Sequence, residues 1–178
     1  ISFWRRALSA LRSITSPTSP PQPVVRAGAC ASSWNWFADV AAIEMLDATR
    51  ILSLVSWEAA VDALRTALLD GLDPATQPAR TAVATANGEL LLMPAEFGDA
   101  AGVKVLSVAP GNDAVGLPRI QATYTLMDAR TLTPVAILDG AALTTLRTPA
   151  LSAVAVDALA APEASRLVVF GSGPQALG

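Results

Sequence analysis

At 178 residues the chain is long enough for one full domain and a little more. It is 52% hydrophobic and 15% charged, with a formal net charge of -3, a balance that builds a packed core and excludes wholesale disorder. Histidine is absent and Cys30 is the single cysteine. These two facts exclude Ser-His-Asp and Cys-His catalysis, histidine-ligated metals, an internal disulfide framework and CxxC motifs, so no metal site is expected. No apolar run reaches the ~20 residues of a membrane span, which leaves a soluble chain expected in the cytoplasm, away from membranes.

Charge is spread unevenly. Residues 1–38 hold Arg5, Arg6, Arg12 and Arg26 and no acid, whereas all 15 acidic residues follow them. The same stretch carries Trp4, Trp34, Trp36 and the run Ser16-Pro17-Thr18-Ser19-Pro20-Pro21-Gln22-Pro23, which cannot hold a helix or an inner strand. Residues 1–44 read as a basic, Pro/Ser-rich leader or a non-native extension, expected to be disordered; an acid-free targeting peptide is the alternative. Four scattered arginines make a poor phosphate track, so nucleic acid is not an expected partner. A tidy domain would begin at Met45.

From there the elements follow in order. Ser56 can cap a helix whose apolar face is Ala60, Val61, Leu64, Ala67 and Leu68, with Gly71 closing it. Asn87-Gly88 between Thr81–Ala86 and Glu89–Met93 is a strong hairpin signal. Further strands are expected at Val103–Ala109, Ile120–Met127 and Val135–Leu138, with a turn over Arg130–Pro134. A long Ala-rich helix then lies within Thr144–Ala161, its apolar side formed by Leu143, Ala150, Leu151, Val154 and Ala158 together with Arg147. Its start is ambiguous, because Thr148 as N-cap with Pro149 in the first turn is also a legitimate beginning. This order predicts an α/β chain: an α+β domain with a largely antiparallel or mixed sheet.

The end of the chain carries the most specific motif. Arg166–Phe170 is a short apolar run leading into Gly171-Ser172-Gly173-Pro174-Gln175-Ala176, a G-x-G-x-x-A pattern. Strand, glycines and helix start in that order are the context of a dinucleotide-binding turn. The glycines permit the tight turn and a close backbone approach to pyrophosphate, and the helix N-terminus attracts the phosphates.

Three cations stand where base is otherwise scarce. Lys104, the only lysine, interrupts the apolar run Gly102–Val108. A cation there is costly unless paired or turned to solvent, and the commoner arrangement is an outward-facing lysine on an edge strand. Arg147 lies on the apolar side of its helix, where a buried ion pair or a snorkelling side chain is the usual explanation. Arg80 follows Gln77-Pro78 just before the hairpin. Together the three can clamp one carboxylate, a task the planar arginine fork suits well.

The order and spacing of several blocks resemble the ornithine cyclodeaminase/mu-crystallin family from about Ile51 to Ala176. The blocks are Gly102-Val103-Lys104, Gly116-Leu117-Pro118, Ala136-Ile137-Leu138-Asp139-Gly140, Leu143-Thr144, Leu146-Arg147-Thr148-Pro149-Ala150, Ser152-Ala153 and the glycine motif. The resemblance implies a homodimer whose protomers pair a substrate domain, here residues 45–165 with its linking helix, with a Rossmann domain that begins at 166–178 and is cut short. It implies NAD or NADP as cofactor and a small amino or cyclic imino acid as substrate. Arg80, Lys104 and Arg147 would hold the substrate carboxylate. Arg147, Thr148, Arg119, Gly171, Gly173, Pro174 and Gln175 would lie toward the cofactor. Arg119 replaces the threonine of the cyclodeaminase, which argues against strict ornithine cyclodeaminase identity.

The implied chemistry is conversion of ornithine to proline with loss of ammonia. Reduction of Δ1-pyrroline-2-carboxylate and amino acid dehydrogenation are alternatives on the same scaffold. The family's catalytic aspartate belongs to the Rossmann half, so no catalytic residue is expected within these 178 residues, nor tight NAD(P)H binding by them alone. A non-enzymatic binding protein like mu-crystallin, or an inactive truncated product, is the reading from a different class.

Overall fold

A computed structural model describes residues 43–176. The leader expected over residues 1–44 therefore lies, but for its last two residues, outside the described residues. Among these residues six strands form one mixed sheet in the order β1-β6-β5-β4-β3-β2. They are β1 (Glu44–Leu46), β2 (Thr81–Thr85), β3 (Gly88–Phe97), β4 (Ala100–Val108), β5 (Ile120–Asp128) and β6 (Pro134–Asp139). Strands β2 to β6 are antiparallel neighbours; only β1 pairs in parallel, Met45 lying opposite Ile137. The Asn87-Gly88 hairpin forms as expected, with Thr85 opposite Gly88.

Among the described residues three helices accompany the sheet: α1 (Ala48–Leu54), α2 (Trp57–Leu69) and α3 (Gly140–Leu159). Strand β1 and helix α1 have no counterpart among the elements expected from sequence. Each is short, and neither holds enough residues for a period to emerge. Ser56 caps α2 as expected, accepting from the Ala59 N–H. The buried face of α2 is Ala60, Ala63 and Ala67; Ala63 takes the place expected for Leu68, which is exposed.

Two expectations are overturned. The long helix does not begin at Thr144 or Thr148. Asp139 is its N-cap, accepting from the N–H groups of both Ala141 and Ala142, and Pro149 lies in the helix interior. Its buried residues are Gly140, Leu143, Leu146 and Ala150, while Leu151 is exposed. The gain from burying Leu143, Leu146 and Ala150 outweighs the hydrogen bond that Pro149 cannot donate. The strand expected at Arg166–Phe170 is also absent. That segment is irregular, with Leu167 to Phe170 exposed, since a strand needs a neighbour to satisfy its backbone and none of the described residues is placed beside it as one.

The core is built from Leu46, Ile51, Ala60, Ala100, Leu126, Ala136, Leu138, Leu146 and Ala150, between one face of the sheet and the helices. Leu126 and Leu146 are the largest fully buried side chains. The other face of the sheet carries Val83, Leu90 and Leu92, all exposed, with half-buried Val103, Val105 and Ile137 on the same side by strand alternation. No helix among the described residues is long and apolar enough to cross a membrane.

Candidate functional site

A cavity of about 420 Å³ opens between α2, α3 and the helix-covered face of the sheet, within the ~300–1,000 Å³ range of small-molecule sites. Its walls include Ala60, Ala63 and Ala67 of α2, Leu143 and Leu146 of α3, and Met93, Phe97 and Tyr124 of the sheet. Arg80, Lys104 and Arg147 all line it. The three cations, scattered over 68 positions of sequence, are thus brought to one space by the fold.

Each reaches the cavity for a local reason. Lys104 lies near the middle of β4, directly between Met93 of β3 and Tyr124 of β5. Strand β4 is an interior strand and Lys104 is only 8% exposed, which overturns the expectation of an outward lysine on an edge. Its ammonium donates to Thr144 Oγ1 at 3.2 Å, and that hydroxyl donates in turn to the Gly140 carbonyl at 2.7 Å. Arg147 projects from α3 one turn beyond Thr144. Arg80 is exposed at the entry to β2.

The electrostatics are those of an unneutralised cluster. Among the described residues no carboxylate forms an ion pair with Lys104, Arg147 or Arg80; the salt bridges there join Arg65 to Asp62 and Asp157, and Arg130 to Asp99. Burial pulls the Lys104 ammonium below the usual lysine range, and the nearby guanidiniums of Arg147 and Arg80 push it further the same way. Burial and Arg80 lower Arg147 likewise. An anion entering the cavity relieves this repulsion, so the arrangement is built to bind one.

Tyr124 and Thr144 belong to this site and carried no role in the sequence reading. Tyr124 is the only tyrosine of the chain, and burial raises its phenol, which keeps it protonated. It is seated by Gly102: a Cβ there would meet the Tyr124 hydroxyl at 2.5 Å. Thr144, three residues before Arg147 on a helix, shares its face; that spacing was the available signal.

The residues expected at a dinucleotide fall into two groups. Thr148 follows Arg147 on α3, and its hydroxyl oxygen is buried with no hydrogen-bond partner among the described residues, an orphan that a ligand's polar group can satisfy. Pro174–Ala176 forms a 3-10 turn that packs on α3. Gly171 holds φ at +104°, which only glycine takes readily, and a Cβ at Gly173 would meet nothing within 4 Å. This open, glycine-lined turn fits the close approach of a phosphate. Arg119 does not join the cavity; it is exposed in the β4–β5 connection, its carbonyl accepting from Ala109. No metal-binding cluster of acids or cysteine occurs among the described residues.

Comparison with known proteins supplies the wider context. A Δ1-pyrroline-2-carboxylate reductase from Bacillus cereus is 42% identical over 105 residues, covering 57% of this chain and 32% of its own length. An archaeal alanine dehydrogenase dimer with bound NAD superposes with a TM-score of 0.68 at 30% identity, over 76% of this chain and 42% of that one. The Thermococcus litoralis Δ1-pyrroline-2-carboxylate reductase in complex with NADH and L-proline gives 0.66 at 32% identity, over 75% and 43%. The chain thus spans about a third of that curated reductase and under half of each of those two structures. The structures' bound NAD and NADH identify NAD(P) as the cofactor of the family. Residues 42–178 match the family description itself, and the chain belongs to the ornithine cyclodeaminase/mu-crystallin family.

Proposed function

We propose that this chain forms the carboxylate-binding part of an NAD(P)-dependent enzyme acting on the α-carbon–nitrogen bond of a small amino or cyclic imino acid. The observation that carries the reading is the convergence of Arg80, Lys104 and Arg147 on one cavity without a carboxylate partner. In this role buried Lys104 and half-buried Arg147 grip the substrate carboxylate from the floor, and Arg80 closes on it from the rim. Fixing the carboxylate fixes the neighbouring α-carbon, and such orientation is worth several kcal/mol of a barrier.

Arg147, Thr148 and the Gly171–Gln175 turn would hold the dinucleotide, with Arg119 a more distant candidate. When bound, NAD(P) supplies the hydride chemistry that the side chains lack. Residues 166–176 are on this reading the entry to the dinucleotide-binding domain, and 45–165 the substrate domain. Conversion of ornithine to proline is supported by the family description, and imino acid reduction by the reductases that resemble the chain over their matched portions.

The exposed apolar sheet face bearing Val83, Leu90 and Leu92 is proposed as the homodimer surface, supported by the dimeric state of the alanine dehydrogenase. The carboxylate role is tested by Lys104→Ala and Arg147→Ala, with L-proline binding followed by thermal shift and by calorimetry. Each substitution should weaken binding at least tenfold, as loss of a charged hydrogen bond of about 1.5–3 kcal/mol requires. Undiminished binding in both variants would assign these cations a purely structural role.

A further inference from the structure

Helix α3 starts hard against the sheet. A Cβ at Gly140 would lie 2.8 Å from the Ala122 Cβ and 2.9 Å from the Ala122 carbonyl carbon of β5, so a side chain there would lift the first turn. One turn on, Thr144 comes down beside Lys104 of the neighbouring strand β4. Its hydroxyl is used twice: Oγ1 donates to the Gly140 carbonyl at 2.7 Å and accepts from the Lys104 ammonium at 3.2 Å. Because its one proton is committed to the carbonyl, the oxygen offers the ammonium a lone pair.

Resting on the carboxylate-binding reading above, we infer that Thr144 is a positioning residue for Lys104: its hydroxyl holds one of the three ammonium N–H groups and so aims the other two at the bound carboxylate. Among the described residues, the titratable groups that face Lys104 are Arg147 from α3, Arg80 at the entry to β2 and the Tyr124 phenol from β5. Helix α2 lines the cavity with Ala60, Ala63, Leu64 and Ala67. Glu96 of β3 pairs with Ala101, three positions from Lys104, so strand alternation puts its side chain on the other face of the sheet. Burial and the two guanidiniums draw the ammonium's pKa down. An acceptor on the charged form acts the other way, so Thr144 helps to keep the charge that the anion needs.

Lys104 is the only lysine of the chain, so the full chain grown on isotope-labelled lysine gives one lysine Cε resonance, whose titration reads this ammonium directly. Thr144→Val keeps the branched shape and removes the acceptor. Its Cε signal should titrate about one pH unit below the wild type, the size of one hydrogen bond to a charged group, and Thr144→Ser should return it. Thr144→Ala also lacks the hydroxyl; it should shift in the same direction and decides the matter if Thr144→Val does not fold. An unshifted titration in these variants, or a shift in Thr144→Ser as large as theirs, would leave Thr144 a packing role only. Binding of pyrrole-2-carboxylate, a carboxylate whose nitrogen does not titrate in this range, separates the inference from the reading beneath it. By calorimetry at neutral pH, Thr144→Val should bind at least about threefold more weakly than the wild type, while Thr144→Ser matches the wild type. Equal binding by Thr144→Val would overturn the positioning role and leave the carboxylate clamp in place. No binding by the wild type would bring down the clamp, and the positioning role with it.

Discussion

The ammonium of Lys104 gives one hydrogen bond among the described residues, to Thr144, while two guanidiniums oppose its charge. A buried cation so placed costs stability that an apolar replacement recovers. Lys104→Met should therefore stabilise the fold by about 1 kcal/mol, read by denaturant unfolding, while abolishing carboxylate binding. A destabilised variant would mean that the lysine serves packing. The pH dependence follows from the same burial. The folded pKa lies below the unfolded value, so between the two the unfolded chain binds more protons and stability rises with pH; below that window the full penalty is present. A bound carboxylate raises the ammonium's pKa, so binding at alkaline pH should take up protons. Calorimetry in buffers of differing ionisation enthalpy would show this uptake growing as pH rises, and a pH-independent proton balance would mean that the ammonium is not in contact with the bound carboxylate.

At the scale of elements, α3 places three of the site's polar groups, Thr144, Arg147 and Thr148, on consecutive turns. Its register depends on where it starts. Asp139 accepts two backbone N–H groups there, and Asp139→Ala should cost about 1 kcal/mol, measured as a lowered unfolding midpoint. Had the helix begun at Thr148, that change would be nearly silent. Gly102 on β4 has a comparable influence on β5. Gly102→Ala drives a methyl into the Tyr124 hydroxyl and the Thr125 carbonyl, and overpacking of this kind costs ~1–3 kcal/mol. It should also weaken carboxylate binding by moving the wall opposite Lys104, whereas Gly111→Ala, which meets nothing within 4 Å, should change neither.

For the described residues as a whole, the sheet has one face committed to the helices and one that none of their helices covers. Val83, Leu90 and Leu92 crowd that open side, and an apolar strip of this kind is seldom left to water. Sedimentation velocity should show a dimer that the Leu90→Asp, Leu92→Asp double variant converts to monomer, with the cavity on the other face still binding carboxylate. Loss of both together would join the two faces functionally. Leu167 to Phe170, all exposed, add a second apolar surface at the far end of α3.

Local signals were enough for the elements whose cause is local. Asn87-Gly88 specified a hairpin because few residues tolerate that turn, and Ser56 specified a helix start because its hydroxyl meets the freed N–H groups of the next turn. The scarcity of base around Lys104, Arg147 and Arg80 suggested a shared carboxylate clamp and the resemblance implied one, but nothing in their spacing places the three within reach of one another. Tertiary structure decided the rest. It put β4 inside the sheet, which buried Lys104 instead of exposing it. It ran α3 through Pro149, because burying Leu143, Leu146 and Ala150 outweighs one missing hydrogen bond. It also turned Glu96 away from three unneutralised cations. Which face a strand residue occupies depends on its neighbours, and a neighbour is a property of the fold.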